Sequence, residues 1–215
     1  MATTLQKIFE PVLRDLGMDP GSSLINDAKQ RLIDYVNEVV GEINLTSKWN
    51  VLKTQGTITL LTSQDTYTLA TDCDVNRILA EEFYVPSEDK TIIKKDDAYF
   101  GDQLNIGEKN LPSYWRPLGV NASSISQVQF YPSVASGYNN TTVTYYYVKK
   151  LSELSNTTDT TPHQEELIRV GIKAKYFEYD DDFARADRYT QRFNQLLRRA
   201  MAQNHGSRQF TPRLK

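Results

Sequence analysis

The hydrophobic period of this chain changes twice, and that order limits its fold more than any motif does. It is helical at first, alternates from Gly56 onward, and becomes helical again after Thr161. Ile25, Ala28, Leu32, Tyr35, Val36, Val39 and Ile43 recur mostly at spacings of three and four, the mark of one apolar helical stripe. Ser22 or Ser23 can cap that helix, Asp27 suits its first turn, and it ends near Leu45. A shorter helix precedes it, from about Thr4 to Leu16, and is stopped by Gly17 and Pro20.

Beyond Gly56 the residues alternate. Thr57–Leu60 and Asp65–Leu69 read as short strands joined by a tight turn at Thr62–Asp65. Further strands are expected at Arg77–Val85, Ser113–Leu118, Ser124–Tyr131 and Thr141–Lys149, punctuated by Gly, Pro, Asn and Ser. Asn105–Leu111 is polar and turn-like, a candidate exposed loop. Helix then returns with Thr161 as N-cap, Pro162 at the first helical position and Gln164 completing a capping box. An acidic triplet, Asp180–Asp182, interrupts the stripe and marks a bend or a break into two helices.

The expected fold is therefore α+β. A helical bundle is built from N- and C-terminal helices, and an antiparallel β-sandwich or partly closed barrel is inserted between them. The boundaries read as residues 1–50 for the first helices, 51–150 for the β-domain, 151–204 for the closing helices and 205–215 for an extended arm.

Charge singles out the closing end. From Arg185 to Lys215 there are eight Arg and Lys residues against one anion, Asp187, in a chain whose formal net charge is −2. The last segment, His205 to Lys215, is broken by Gly206 and Pro212. Ordering these eleven residues costs on the order of 10–20 kcal/mol. Burying Phe210 and Leu214 returns only about 1.5–3 kcal/mol each. Such a tail is either disordered or laid across a partner that supplies backbone hydrogen bonds and acidic groups.

Composition removes several classes of function. A pI near 5.8 argues against a general nucleic-acid binder. Cys73 is the only cysteine, so no intrachain disulfide and no multi-cysteine metal site is expected. Met1–Glu10 has no apolar leader core, and no apolar run approaches the ~18 residues of a membrane span. These features point to a protein made and kept in a reducing compartment.

Enzymatic constellations are poorly supplied. His163 and His205 lack a nucleophile in a Gly-flanked elbow, and both read as solvated surface residues. Asp72–Asn76 imitates the opening of a calcium loop, but Arg77 and Phe83 stand where the required Gly and Glu would be. Asp180, Asp181 and Asp182 point around a helix rather than at one spot. No phosphate-binding glycine loop occurs. Trp49 and Trp115 read as core or interface anchors, and in Tyr145–Tyr147 the middle ring should face away from the other two. No catalytic residue, cofactor or metal is expected.

Three segments carry a family resemblance. They are the helix Ile25–Ile43 running on to Trp49 and the strand Gly56–Leu60; the strands around Pro112–Trp115, Gln129–Pro132 and Thr144–Val148; and the helix Glu165–Tyr176 with its acidic break and long polar continuation. In that order the chain resembles the head-to-tail adaptor (connector) proteins of tailed bacteriophages. The resemblance implies a non-enzymatic virion protein, made in the host cytoplasm and placed at the head–tail interface. It implies a ring, usually of twelve copies, between the portal protein and a tail or nozzle protein. DNA would pass through the lumen without sequence-specific contact, and no membrane would be involved. It also makes the tail a portal-docking arm, in which Arg208, Phe210, Arg213 and Leu214 are the expected contacts.

Two other readings stay open. One is a nucleic-acid-binding protein using the Arg-rich C-terminal helix. The other is a β-sandwich recognition module for a glycan or peptide, using Tyr84, Tyr99, Tyr114 and Tyr131.

Overall fold

The computed structural model of the chain describes residues 3–20, 26–103 and 107–206. In chain order it begins with β1 (Thr3–Thr4), α1 (Leu5–Asp15) and α2 (Asn26–Thr46). There follow β2 (Lys53–Thr59), β3 (Thr66–Thr68), β4 (Cys73–Ile78), β5 (Glu82–Val85), β6 (Lys90–Lys94) and α3 (Asp97–Gln103). Then come β7 (Lys109–Asn110), β8 (Tyr114–Val120), β9 (Ser126–Tyr131), β10 (Ser133–Val134) and β11 (Thr142–Lys149). The chain closes with β12 (Thr160–Thr161), α4 (Glu165–Tyr179) and α5 (Phe183–Gly206). It divides into two compact units, Met1–Val51 with Glu153–Lys215, and Leu52–Ser152. The fold is α+β, as the periodicities predict.

In the helical unit α4 is the centre, packed against α1, α2 and α5. It is buried on more than one side, through Leu167, Ile168, Val170, Ile172, Ala174 and Phe177. Gly171 makes this possible. A Cβ there would stand 2.7 Å from Val39 Cγ1 of α2 and 3.1 Å from Phe193 Cε2 of α5, so both neighbours close on bare backbone.

Helix α1 buries Leu5, Ile8, Phe9, Val12 and Leu13 despite carrying Pro11 in its interior. Proline has no N–H and leaves the carbonyl four residues back without its helical donor. That carbonyl belongs to Lys7, and Arg169 Nη2 of α4 donates to it at 3.2 Å. The first amides of α1 find acceptors too: Leu5 N donates to Asp159 O and Gln6 N to Thr157 O, both at 2.9 Å. At its other end Gly17, with φ of +76°, closes a Schellman turn, with Met18 N donating to Leu13 O at 2.8 Å and Gly17 N to Arg14 O at 3.0 Å.

The end of α2 is tied to the start of α4 through Trp49 and His163. Trp49 Nε1 donates to Ile43 O at 2.7 Å, satisfying a last-turn carbonyl. The His163 ring packs edge-on to Trp49 at 5.5 Å, and its Nε2 lies 2.9 Å from Asn44 Oδ1. His163 is thus buried, at 5% exposure, and not the solvated residue its position suggested. The expected capping box does not form either. Thr161 pairs with Thr3 in the β1–β12 ladder, its hydroxyl accepts from His163 N at 3.3 Å, and α4 begins only at Glu165 without a side-chain cap. The acidic triplet does break the helix, between Tyr179 and Phe183. Ser22 and Ser23, the expected caps of α2, lie outside the described residues.

The β unit is built on one curled eight-stranded sheet, with path β2–β11–β5–β6–β8–β9–β3 and β4 also paired to β11. All neighbours are antiparallel except β6 and β8. The tight turn before Asp65 is present, with Gln64 N donating to Leu61 O at 3.0 Å. However, β2 and β3 are not hairpin partners, because β2 pairs with β11 and β3 with β9. The expected strand from Arg77 to Val85 is two strands, β4 and β5. Ala80 and Glu81, both at positive φ, turn the chain between them. The loop expected at Asn105–Leu111 contains a short strand: Lys109–Asn110 pair in parallel with β10, and Leu111 is buried.

The core centres on Phe83, whose ring lies 5.0 Å from Trp115, 5.2 Å from Phe130 and 5.1 Å from Tyr145. Tyr145 and Tyr147 face this core, while Tyr146 is 36% exposed on the other face. Gly56 is directly opposite Tyr145, and a Cβ at that position would stand only 2.5 Å from the tyrosine hydroxyl and closer still to its Cζ. The ring cannot swing away cheaply, because its hydroxyl accepts from Ala70 N at 2.8 Å.

Two predictions follow from these contacts. Gly56→Val forces Tyr145 off its hydroxyl contact and should destabilise the chain by about 2–3 kcal/mol, read from urea denaturation. Burial pushes the His163 imidazole from 6.5 down to about 4. Above about pH 6.5 both the folded and unfolded chains carry it neutral. Between 6.5 and 4 only the unfolded chain takes up the proton, so stability is lost as pH falls through that window. The full loss is about 3 kcal/mol at 1.36 kcal/mol per pH unit. His163→Gln keeps a donor to Asn44 but cannot charge. Its denaturation midpoint should therefore fall less than the wild type's between pH 7 and pH 4.5.

Candidate interaction surfaces

The helical unit offers its clearest surface on α5. Ala186, Phe193, Leu197 and Ala200 form a narrow buried stripe, leaving most of the helix exposed. Wound at 3.6 residues per turn, Arg185, Arg188, Arg192 and Arg199 fall within about 60° of one another, and Arg198 lies outside that sector. All five are exposed. Arg185 pairs with Asp182 at 3.2 Å and Arg192 with Glu166 at 2.8 Å. Arg188, Arg198 and Arg199 make no ion pair with any described residue.

The end of α5 is pinned within this unit. Asn50 N donates to Asn204 Oδ1 and Asn50 Nδ2 to Asn204 O, both at 2.7 Å, while Asn204 Nδ2 donates to Ser47 Oγ at 3.1 Å. The chain therefore enters its last segment from a fixed point. Arg208, Phe210, Arg213 and Leu214, the residues expected to dock, lie outside the described residues.

Helix α2 carries a surface of opposite sign. Leu32, Ile33, Val36, Val39, Val40 and Ile43 are buried, and Asp27, Asp34, Glu38, Glu42 and Leu45 are exposed on the other side, with one cation, Arg31, among the four carboxylates. Leu45 is 90% exposed, which no contact within the unit explains. Lys175 of α4 reaches Glu42 at 2.8 Å and Glu38 at 3.6 Å, and the hydrogen bond to Glu42 raises its pKa. Asp27 and Asp34 make no ion pair with any described residue; Asp34 only accepts from Gln30 Nε2 at 3.4 Å.

In the β unit the four tyrosines of the recognition-module reading do not form one site. Tyr99 and Tyr114 meet at 4.9 Å with Lys95 Nζ 5.5 Å from each ring. Tyr131 is cross-strand to Tyr114 but is buried. Tyr84 sits elsewhere, its hydroxyl donating to Asp89 at 2.8 Å. Cys73 is buried and free, and burial pushes its thiol up to about 12, so it is a poor nucleophile. Buried Gln129 has both ends of its amide engaged: Nε2 donates to Asp65 at 2.7 Å, and Oε1 accepts from Arg116 Nη2 at 2.8 Å.

Among the described residues no group of three or more His, Cys, Asp and Glu could hold a metal ion. No described helix is long and apolar enough to cross a membrane. The sequence reading counted the arginines of α5 but missed their common stripe, which the spacings three, four and seven encode. It also missed Asn204, whose role depends on a turn far earlier in the chain.

No curated protein matches the chain. The sequence model of the SU10 adaptor protein family, however, matches it over residues 3–214, across both units. The chain thus belongs to the SU10 adaptor protein family, in keeping with its resemblance to the head-to-tail adaptors of tailed bacteriophages.

Proposed function

We propose that this phage adaptor protein works as the ring that joins the portal to the tail. Twelve copies form the ring, DNA passes through its lumen without sequence-specific contact, and the protein catalyses no reaction. Its partners are the portal protein on one side and a tail or nozzle protein on the other. It is made in the host cytoplasm and resides at the head–tail interface of the virion.

The observation that carries this reading is the family match over nearly the whole chain. The charge of α5 supports it, because the excess of positive charge continues past Asn204 into Arg208, Arg213 and Lys215. In the docking arm Arg208 and Arg213 act as bidentate partners for acidic portal groups, and Phe210 and Leu214 as apolar anchors. The pinned end of α5 would give such an arm a defined root.

One observation favours a second reading, nucleic-acid binding by α5: three of its arginines make no ion pair with any described residue. Phosphate binding would show as affinity falling steeply with salt.

The test mixes the chain with the portal from the same genome and images the product by negative stain. Full-length chain should add a ring beneath the portal. Chain truncated before Gly206 should keep the far-UV circular dichroism of the full chain and add no ring. A ring from the truncated chain would remove the arm from docking, and no ring from either folded chain would overturn the adaptor reading.

A further inference from the structure

The arginine stripe of α5 and the largely acidic face of α2 are opposite in sign and close to each other in length and spacing. Arg185, Arg192 and Arg199 recur every seven residues, and Asp27, Asp34 and Glu42 recur at seven and eight. At 1.5 Å per residue each row is about 21–23 Å long. Seven residues are close to two helical turns, so the arginine row runs nearly straight along α5, whereas the step of eight from Asp34 to Glu42 carries the acidic row about 80° around α2. Both rows are exposed, both helices pack against α4, and no ion pair among the described residues joins the two rows within one copy.

Direction adds a further constraint. Tyr179 stacks on Tyr35 at 5.2 Å, Lys175 pairs with Glu38 and Glu42, and His163 meets Asn44, so α4 runs antiparallel to α2. The short Asp180–Asp182 turn makes α5 antiparallel to α4, and α5 is therefore parallel to α2. In a ring of many copies each neighbour is turned by only a small angle, so α5 of one copy would meet α2 of the next in the parallel sense. In that sense Arg185 falls opposite Asp27, Arg192 opposite Asp34, and Arg199 opposite Glu42 within one residue.

We propose that the arginine row of α5 docks on the acidic row of α2 of a second copy, a head-to-tail contact between adaptor subunits. The two patches differ, so the contact is heterologous and leaves one row of each kind free at the ends of any open chain of copies. Closure into a ring satisfies both. Arg185 and Arg192 already hold Asp182 and Glu166, and Glu42 holds Lys175, so the contact extends these pairs into a charge network across the interface. The register argument rests on ring formation as proposed above, whereas the contact itself can be read without the portal.

Three altered chains test it. The first carries Arg185→Glu, Arg192→Glu and Arg199→Glu; the second carries Asp27→Lys, Asp34→Lys and Glu42→Lys; the third carries all six and has the net charge of the original. Each is checked for folding by circular dichroism. Self-association is then measured by sedimentation velocity over a concentration series at low salt, and ring formation on the portal by negative stain. Each triple reversal should weaken association about 30–100-fold, from three exposed pairs turned repulsive. The six-fold swap should restore it, and 1 M salt should weaken both associating chains.

The proposal is overturned if either triple variant associates like the original, or if the folded six-fold variant does not recover. It also fails if the unaltered chain associates neither alone nor on the portal. Loss of DNA binding in the arginine variant with association unchanged would assign the stripe to phosphate and overturn it as well. Charge-dependent self-association without portal attachment would support the contact and count only against the head-to-tail function.

Discussion

The helical unit depends on one missing side chain. Three helices share α4, and two of them close on the same turn because Gly171 puts no Cβ between Val39 and Phe193. Glycine in a helix interior costs about 1 kcal/mol of intrinsic propensity relative to alanine. That loss is offset by the close packing it permits, since interiors at crystal-like density gain from every additional atom in contact. A helix so enclosed must also bury polar atoms with partners, and Arg169 shows the compromise. It pairs with Glu165 and serves the carbonyl that Pro11 deprives of a donor, while its Nε remains buried without a partner. One arginine thus makes a proline tolerable in a neighbouring helix, at the expense of its own complete satisfaction.

The β unit solves a similar problem with aromatic rings. Phe83 touches Trp115, Phe130 and Tyr145 in edge-on or tilted geometry, which suits the ring quadrupoles better than face-to-face stacking. The polar tips are not wasted. Trp115 Nε1 donates to Glu81 O at 2.9 Å, which holds the sharp β4–β5 turn where two residues adopt positive φ. Tyr67 performs the same task at the β2–β3 connection, where its hydroxyl accepts from Leu61 N at 3.0 Å. The abundance of tyrosine in this chain is explained in part by these turn contacts, and less by a ligand surface.

Periodicity carried the helices well because each stripe extends over several turns, so α1, α2 and the break at Asp180–Asp182 were all legible. It failed where geometry is set by residues distant in the chain. His163 looked solvated because nothing nearby in sequence buries it; Trp49 and Asn44 do so from the end of α2. Thr161–Gln164 spells a capping box, yet Thr161 is drawn into the ladder with Thr3, and tertiary pairing overrides the local signal. Lys90–Lys94 was not read as a strand because its five residues hold only two aliphatics and sit between charged turns. The β2–β3 turn is real, but a curled sheet routes its two flanks to different partners. For the interaction surfaces, composition revealed an excess of arginine. Its arrangement as a stripe emerged only once the buried side of α5 was known, and the tail residues are read from sequence alone.

The physical character of these surfaces suits assembly by stages. Exposed ion pairs contribute about 0.2–1 kcal/mol each and are screened beyond roughly 8 Å at physiological salt. In the proposed contact, a copy offering a few such charges would bind a second copy weakly and reversibly, and could correct a misplaced contact before others join. Strength then comes from closure and multiplicity, because a subunit already held at one face meets its next partner at high effective concentration. A large apolar patch would instead drive association of free copies in any order. Among its described residues the helical unit exposes Leu45, Val51, Tyr179 and Phe183 as large apolar groups, set among charged side chains. Under the proposed contact, a subunit with such a surface would remain separate at low concentration and lock where a template gathers its copies.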